Sequence, residues 1–270
     1  MPRDLHGGEG SGLAAWSREL RLSVGFLTRL PVAAPVEGAD MTAAMRLFPA
    51  AGALVGLVCG VILLLAAWLG LPAFAAALIS IGASLLLTGA LHEDGLADMA
   101  DGLGGRTREE ALAIMRDSRT GSYGVMALIL AVGLKAAALT ALLGMSGGAW
   151  PPVLAVTIAT GALSRATLPA LLHALPPARN DGLSALAGTP SSSIAGQAAL
   201  IGWILSTLAL LPHSLLLGLL GLPLACAAGA GLVAILASRR LGGQTGDVAG
   251  AAQVAAEILG LLLAAAYLVP

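Results

Sequence analysis

Long apolar stretches broken by short polar ones dominate the chain. No Asp, Glu, Lys or Arg occurs from Leu47 through His92, nor from Gly182 through Ser238. Each run is about right for two membrane crossings of ~20 residues. The runs are rich in Leu and Ala and lack the ~10-residue alternation of a transmembrane strand. The pattern predicts an all-α, polytopic membrane protein forming a single domain over 1–270. It places about seven spans at 48–69, 72–91, 122–144, 151–175, 195–211, 214–238 and 248–269. Gly and Pro mark the breaks, as at Gly70-Leu71-Pro72, Gly147-Gly148-Ala149-Trp150-Pro151-Pro152 and Leu211-Pro212-His213. Residues 12–30 differ: Trp16, Leu20, Leu22, Phe26, Leu27 and Leu30 interleave with Arg18, Glu19, Arg21 and Arg29. That is the pattern of an amphipathic helix lying on a bilayer surface. It does not read as a cleaved signal peptide, because the first ten residues carry two acids and no long apolar region follows directly.

Composition sharpens the class. Apolar residues make up 57% and charged residues 11%, against about 25% charged in an average soluble domain. An ordinary soluble globule and a disordered chain are excluded. The net charge of −1 and 3% aromatic content also exclude a nucleic-acid-binding domain. Seven spans put the N-terminus and the segments 92–121, 176–194 and 239–247 on one side, with 12 of the 14 Lys and Arg. The positive-inside rule makes that side the cytoplasm. The other two cations, Lys135 and Arg165, fall inside spans. Cys59 and Cys226 sit in apolar spans and read as small buried hydrophobes.

Charge concentrates where a span ends. The segment 93–119 holds 11 of the 29 charges. Asp94, Asp98 and Asp101 stand at i, i+4 and i+7, so a helix brings the three carboxylates to one face. Like charges at that spacing repel, and a hard cation such as Mg²⁺ gives them a reason to be there. Glu93 is one residue off that face, and His92 is placed to orient a carboxylate, contact substrate or pack at a helix end. Gly102 belongs to the glycines that let backbone and phosphate approach closely. Downstream, Thr107 and Glu110 form a capping-box pattern. Arg116 and Arg119 follow with Asp117 and Ser118, and guanidinium forks match phosphate oxygens. A third polar patch, Arg239-Arg240-Leu241-Gly242-Gly243-Gln244-Thr245-Gly246-Asp247, offers Gly243, Thr245 and Asp247 for an anion nest or a cation site at a helix start. Glu257 lies at membrane depth, where an acid marks a functional site by default or a partner for Lys135 or Arg165. Asn180 and Asp181 read as turn residues. Acids, arginines and Gly-rich loops on one membrane face describe a phosphoryl-transfer site. The P-loop pattern is absent.

Several of these segments resemble one family. His92-Glu93-Asp94-Gly95-Leu96-Ala97-Asp98 through Asp101-Gly102-Leu103 is similar to the central motif of the cobalamin synthases, the adenosylcobinamide-GDP ribazoletransferases. So is Ile114-Met115-Arg116-Asp117-Ser118-Arg119 with Gly121-Ser122-Tyr123-Gly124. Thr28-Arg29-Leu30-Pro31-Val32 with Phe48-Pro49 and Gly52 resembles the opening, and Gly242 through Asp247 with Gly250-Ala251 and Glu257 the closing motif. The family often carries an apolar residue at the position of Glu93, which counts against Glu93 as a metal ligand and leaves it a partner of the ligands as the alternative. The resemblance implies a Mg²⁺-dependent, multi-pass enzyme of the bacterial inner membrane with its site on the cytoplasmic side. It implies transfer of the phosphocobinamide group of adenosylcobinamide-GDP to the 5′-hydroxyl of α-ribazole or its 5′-phosphate, with GMP leaving. On that basis Asp94, Asp98 and Asp101 are expected to bind the metal, and Asp117 or Asp247 to take the proton or complete the shell. Arg116 and Arg119 are expected to clamp the diphosphate, with His92, Gly102, Ser118, Gly243 and Thr245 contacting substrate. A homo-oligomer or an association with other corrinoid-assembly enzymes is a further expectation.

Two alternatives compete. A CDP-alcohol phosphotransferase pattern matches Asp98, Asp101, Gly102 and Arg106, but its second half meets Met115, Arg119 and Tyr123 in place of Gly and two acids. A transporter would use Lys135, Arg165 and Glu257 near the midplane, yet no internal repeat accompanies them.

Overall fold

The computed structural model describes residues 12–32, 40–145, 150–179 and 188–268. Among them every regular element is a helix, and the one extended pairing is an isolated bridge between Pro177 and Gln244. The elements are α1 (Leu13–Leu27), α2 (Met41–Ala44) with a following 3₁₀ turn, α3 (Phe48–Trp68), α4 (Ala73–Thr88), α5 (Leu91–Gly102), α6 (Arg108–Ile114), α7 (Ser122–Met145), α8 (Trp150–Ala174), α9 (Ser192–Leu210), α10 (Leu222–Leu241) and α11 (Gly246–Leu268). A π-turn at Leu217–Gly221 leads into α10. Asn180 and Asp181 lie outside the described residues.

Among the described residues, six helical segments are long and apolar enough to cross a membrane; a seventh is reached only if α4 and α5, bent by 93° to each other, are counted as one span. The expected spans agree with these helices to within a few residues, except at that bend. The 72–91 span ends early. Gly89 and Ala90 both adopt left-handed backbone, at φ 66° and 55°. Two such residues in succession stop α4 and send α5 across the end of the bundle. For Ala90 this conformation costs about 1–2 kcal/mol, so the turn is held by its surroundings. The Arg29 N–H donates to the Leu87 carbonyl at 2.7 Å, tying the end of α1 to the end of α4.

α8 and α11 are the most enclosed crossings; α10 and α9 present large apolar side chains outward, such as Leu232 and Leu208. That inverts a soluble protein and suits a lipid surround. α3 meets α8 through small residues. A Cβ on Gly56 would lie 2.0 Å from the Thr157 carbonyl oxygen, and one on Gly52 would lie 2.2 Å from that of Gly161. Glycine is required there because the backbones touch, as at small-residue crossings in membranes generally.

The charges expected inside spans form one buried cluster. The Lys135 ammonium donates to Glu93 Oε1 at 3.1 Å and to Glu257 Oε2 at 3.3 Å. Arg165 Nη1 reaches the same Glu257 oxygen at 3.2 Å, and Gln253 Nε2 reaches it at 2.7 Å. Two cations face two anions across α5, α7, α8 and α11. Neutrality and a set of donors on each acid are what make buried charge tolerable in a membrane. Glu93 is thereby a structural partner of Lys135.

Candidate functional site

Apart from the cluster, the helices enclose a cavity of about 400 Å³. Its walls come from residues far apart in sequence: Phe26 and Leu27 of α1, Met45 and Phe48 at the entry to α3, Leu168 and Leu172 of α8, His92, Asp94 and Asp98 of α5, Met115 and Arg116 after α6, Arg179, and Gly246, Asp247 and Gly250 of α11. One side is apolar, with the Phe26 and Phe48 rings stacked at 5.8 Å and an interplanar angle of 9°. The other side carries acids and arginines.

α5 creates the polar side. Its backbone crosses the start of α11 so closely that a Cβ on Gly95 would lie 2.8 Å from the Asp247 carbonyl oxygen. Asp94 and Asp98, one turn apart, therefore face Asp247. Burial, then the neighbouring Asp94, Asp247 and Asp101, push the Asp98 carboxyl up to about 6. Asp247 is held from the other side by Arg179, whose Nη2 donates to Oδ2 at 3.1 Å, and by the Thr245 hydroxyl at 3.3 Å. Thr245 also caps α11, accepting the Val248 N–H at 3.2 Å.

The Gly-rich loop acts as a mount for Arg179. The Gln244 N–H donates to the Pro176 carbonyl, and the Ala178 N–H to the Gln244 carbonyl, each at 2.8 Å. A Cβ at Gly243 would sit 2.1 Å from the Pro176 oxygen, so only glycine permits the pairing. Arg108 and Arg240 tighten the same region: Arg108 Nη2 donates to the Ala178 carbonyl, and Arg240 Nη2 to those of Leu103 and Gly105, all at 3.1 Å. Arg179 was not among the residues singled out from the sequence. Pro176-Pro177 just before it, which stiffens its approach, was the available signal.

The expected site residues divide into two sets. Asp94, Asp98, Asp247, Arg116 and His92 come together on the cavity. Asp101 is turned to another partner: its two carboxylate oxygens accept the Gly121 N–H at 2.6 Å and the Gly124 N–H at 2.9 Å, capping α7 from outside. Arg119 and Asp117 pair with each other at the surface at 2.5 Å, with the Arg119 side chain 87% exposed. Those hydrogen bonds bring the Asp117 carboxyl down to about 2. Ser118 is exposed beside them. Gly102 is a packing position, where a Cβ would meet Met115 Cγ at 2.5 Å. The capping expectation for α6 is met by Thr107 Oγ1 accepting the Glu110 N–H at 3.1 Å.

Among the described residues no group of three or more His, Cys, Asp or Glu side chains is placed to hold a metal ion. The donor set on the cavity still suits a hard divalent ion. Its acids are Asp94, Asp98 and Asp247, and Mg²⁺ needs just one or two protein carboxylates when water and phosphate supply the rest.

A helical membrane bundle with opposed carboxylates and guanidiniums beside an apolar cavity defines an integral-membrane transferase of anionic substrates. The chain matches the family Cobalamin-5-phosphate synthase over residues 19–265. It is 47% identical over 253 residues to the adenosylcobinamide-GDP ribazoletransferase of Bradyrhizobium diazoefficiens, covering 92% of this chain and 94% of that protein. It is 42% identical to the protein of the same name from Allorhizobium ampelinum, over 92% of this chain and 96% of the relative. The Azorhizobium caulinodans protein of that name is 44% identical, over 88% and 91%. The chain therefore belongs to the cobalamin-5-phosphate synthase family. No solved structure matches it.

Proposed function

We propose that the protein transfers the phosphocobinamide group of adenosylcobinamide-GDP to a ribose hydroxyl of α-ribazole, or of its 5′-phosphate, in late cobalamin assembly. The observation that carries this is the 47% identity over 92% of the chain to a ribazoletransferase, and the cavity has the chemistry for it. The acceptor's ribose hydroxyl oxygen attacks the phosphorus on the cobinamide side of the diphosphate. The bond from that phosphorus to the oxygen bridging to GMP breaks, and GMP leaves with the electron pair. Asp94 and Asp98 would hold a magnesium ion, and Asp247 takes the hydroxyl proton. When bound, the ion supplies positive charge that neutralises the transferring and leaving phosphoryl groups. Arg116 and Arg179 add fixed positive charge on the same side, and Arg179 also orients Asp247. The charged loops lie on the cytoplasmic face of the bacterial inner membrane, consistent with the side on which the arginines cluster.

Turnover by detergent-purified, lipid-supplied protein tests this. Adenosylcobinamide-GDP and α-ribazole phosphate should give corrinoid product and GMP with Mg²⁺ and none with EDTA. Absence of product from folded protein with Mg²⁺ overturns the reaction and directs attention to CDP-alcohol substrates.

A further inference from the structure

The apolar face of α1 is longer than the protein surface that covers it. Leu13, Trp16, Leu20, Val24 and Leu27 fall on one side of the helix, at three- and four-residue spacing. The C-terminal half of that face is covered: Val24 and Leu27 are buried, and the neighbouring Ser23 hydroxyl donates to the Ala44 carbonyl at 2.7 Å. The N-terminal half overhangs, with Leu13 91%, Trp16 44% and Leu20 40% exposed. The overhang is held in place. Arg46, at the entry to α3, donates to both carboxylate oxygens of Glu19, through Nε at 2.7 Å and Nη2 at 2.6 Å. Its guanidinium lies 4.6 Å from the Trp16 ring centroid, and its Nη1 reaches Gln197 of α9 at 3.3 Å. α1 is therefore pinned across the ends of two membrane-crossing helices, at the depth where they leave the apolar core.

The Arg46 pairing leaves the helix cationic. Glu19 is the one acid of α1, and Arg46 takes it up. Arg18 and Arg21 are exposed on the flank beside the overhang, and neither is ion-paired among the described residues. An exposed apolar face with arginines along its flank matches a partner present at that depth in every membrane: acyl chains for the face and phosphates for the flank. A second copy packed there by two-fold symmetry would set these arginines against their own counterparts. We propose that α1 docks on the anionic phospholipids of the bilayer, with Leu13, Trp16 and Leu20 entering the interface and Arg18 and Arg21 holding headgroup phosphates. The same helix carries Phe26 and Leu27 into the cavity wall, so this contact fixes that wall against the membrane. The docking is independent of the reaction proposed above and is read without turnover.

Cysteine reactivity in nanodiscs holding one copy of the full-length protein tests it. Cys59 and Cys226 are buried, so Leu13→Cys supplies the thiol that an uncharged, water-soluble maleimide reads. An arginine near an anionic surface is worth roughly fivefold in binding. Leu13→Cys should therefore react on the order of 20-fold more slowly in discs of phosphatidylglycerol and phosphatidylcholine than in phosphatidylcholine alone. High salt should reverse part of that protection. Surface acidity by itself slows any thiol at such a membrane by roughly threefold. Adding Arg18→Gln and Arg21→Gln should leave only that slowing, while Arg18→Lys with Arg21→Lys should keep most of the protection. Leu13→Cys protected no more than about threefold, with both arginines intact, overturns the proposal. So does full protection that survives the two glutamines. Protection that follows a second copy in the disc, and not the lipid charge, makes α1 an interface between copies and overturns it as well. Inorganic phosphate added to neutral discs should protect nothing; if it protects, the arginines bind free anions and the membrane docking falls.

Discussion

Replacing Glu257 by Gln removes one negative charge from the buried cluster while keeping the side chain's size. Its Oε2 stands 3.3 Å from the Lys135 ammonium and 3.2 Å from Arg165 Nη1. At an effective dielectric near 20, each contact is worth about 5 kcal/mol of gross Coulomb attraction. Lys135 keeps Glu93 at 3.1 Å, and part of the loss relaxes. Breaking a buried pair on one side costs about 3–5 kcal/mol net. For a chain of this size that is a fall of roughly 6–20 °C in the unfolding midpoint. The assay is thermal unfolding of detergent-purified protein at one fixed scan rate, since membrane proteins unfold irreversibly. Glu257→Gln combined with Arg165→Gln restores neutrality, leaving the Lys135–Glu93 pair. The double variant should recover at least half of the loss. A Glu257→Gln midpoint within about 2 °C of wild type would refute the reasoning, as would strictly additive effects in the double variant.

Other residues give shorter tests. Asp101→Ala should destabilise the protein by about 1–3 kcal/mol, because two helix-start donors lose their acceptor, and amide exchange at Gly121 and Gly124 should accelerate; unchanged exchange would contradict the capping role. Gly243→Ala should lower kcat/KM at least tenfold by parting the two loops and moving Arg179; wild-type kinetics would show that the loops tolerate a methyl group. Arg116→Ala, on the cavity, should reduce kcat/KM at least tenfold, whereas Arg119→Ala, an exposed pair of little net energy, should stay within about twofold; the reverse order would place the phosphate clamp at Arg119.

The spans were legible because a membrane imposes a one-dimensional rule: about 20 apolar residues per crossing. The charged segment between α4 and α7 was legible for the same reason, since acids do not persist in lipid without a purpose. What stayed hidden was pairing. Asp94, Asp98 and Asp101 share a helical spacing, yet Asp101 is claimed by the α7 start 20 positions away, and periodicity cannot report that. Arg179 reads as one more cytoplasmic arginine until the Gly243 loop brings it to Asp247, 68 positions on. The bend at Gly89-Ala90 was masked because both flanks are apolar on the α4 side and an Ala carries no turn signal. The apolar cavity wall was equally invisible, because Phe26, Phe48 and Leu168 look like any other lipid-facing or core residue.

The ion cluster also bears on how the protein is made. A lone Lys or Arg at the centre of an inserting helix costs about 2.5–3.5 kcal/mol. Glu93 is synthesised before Lys135, but Glu257 follows Lys135 by 122 positions and Arg165 by 92. At about 5–20 residues per second, Arg165 and Lys135 wait on the order of 5–25 s for the last helix to bring its counter-charge. Until then α8 is held in the bilayer under an electrostatic debt that only a completed chain cancels. A ribosome that stops before Glu257 releases a bundle with a surplus buried cation, Lys135 and Arg165 sharing the single acid Glu93.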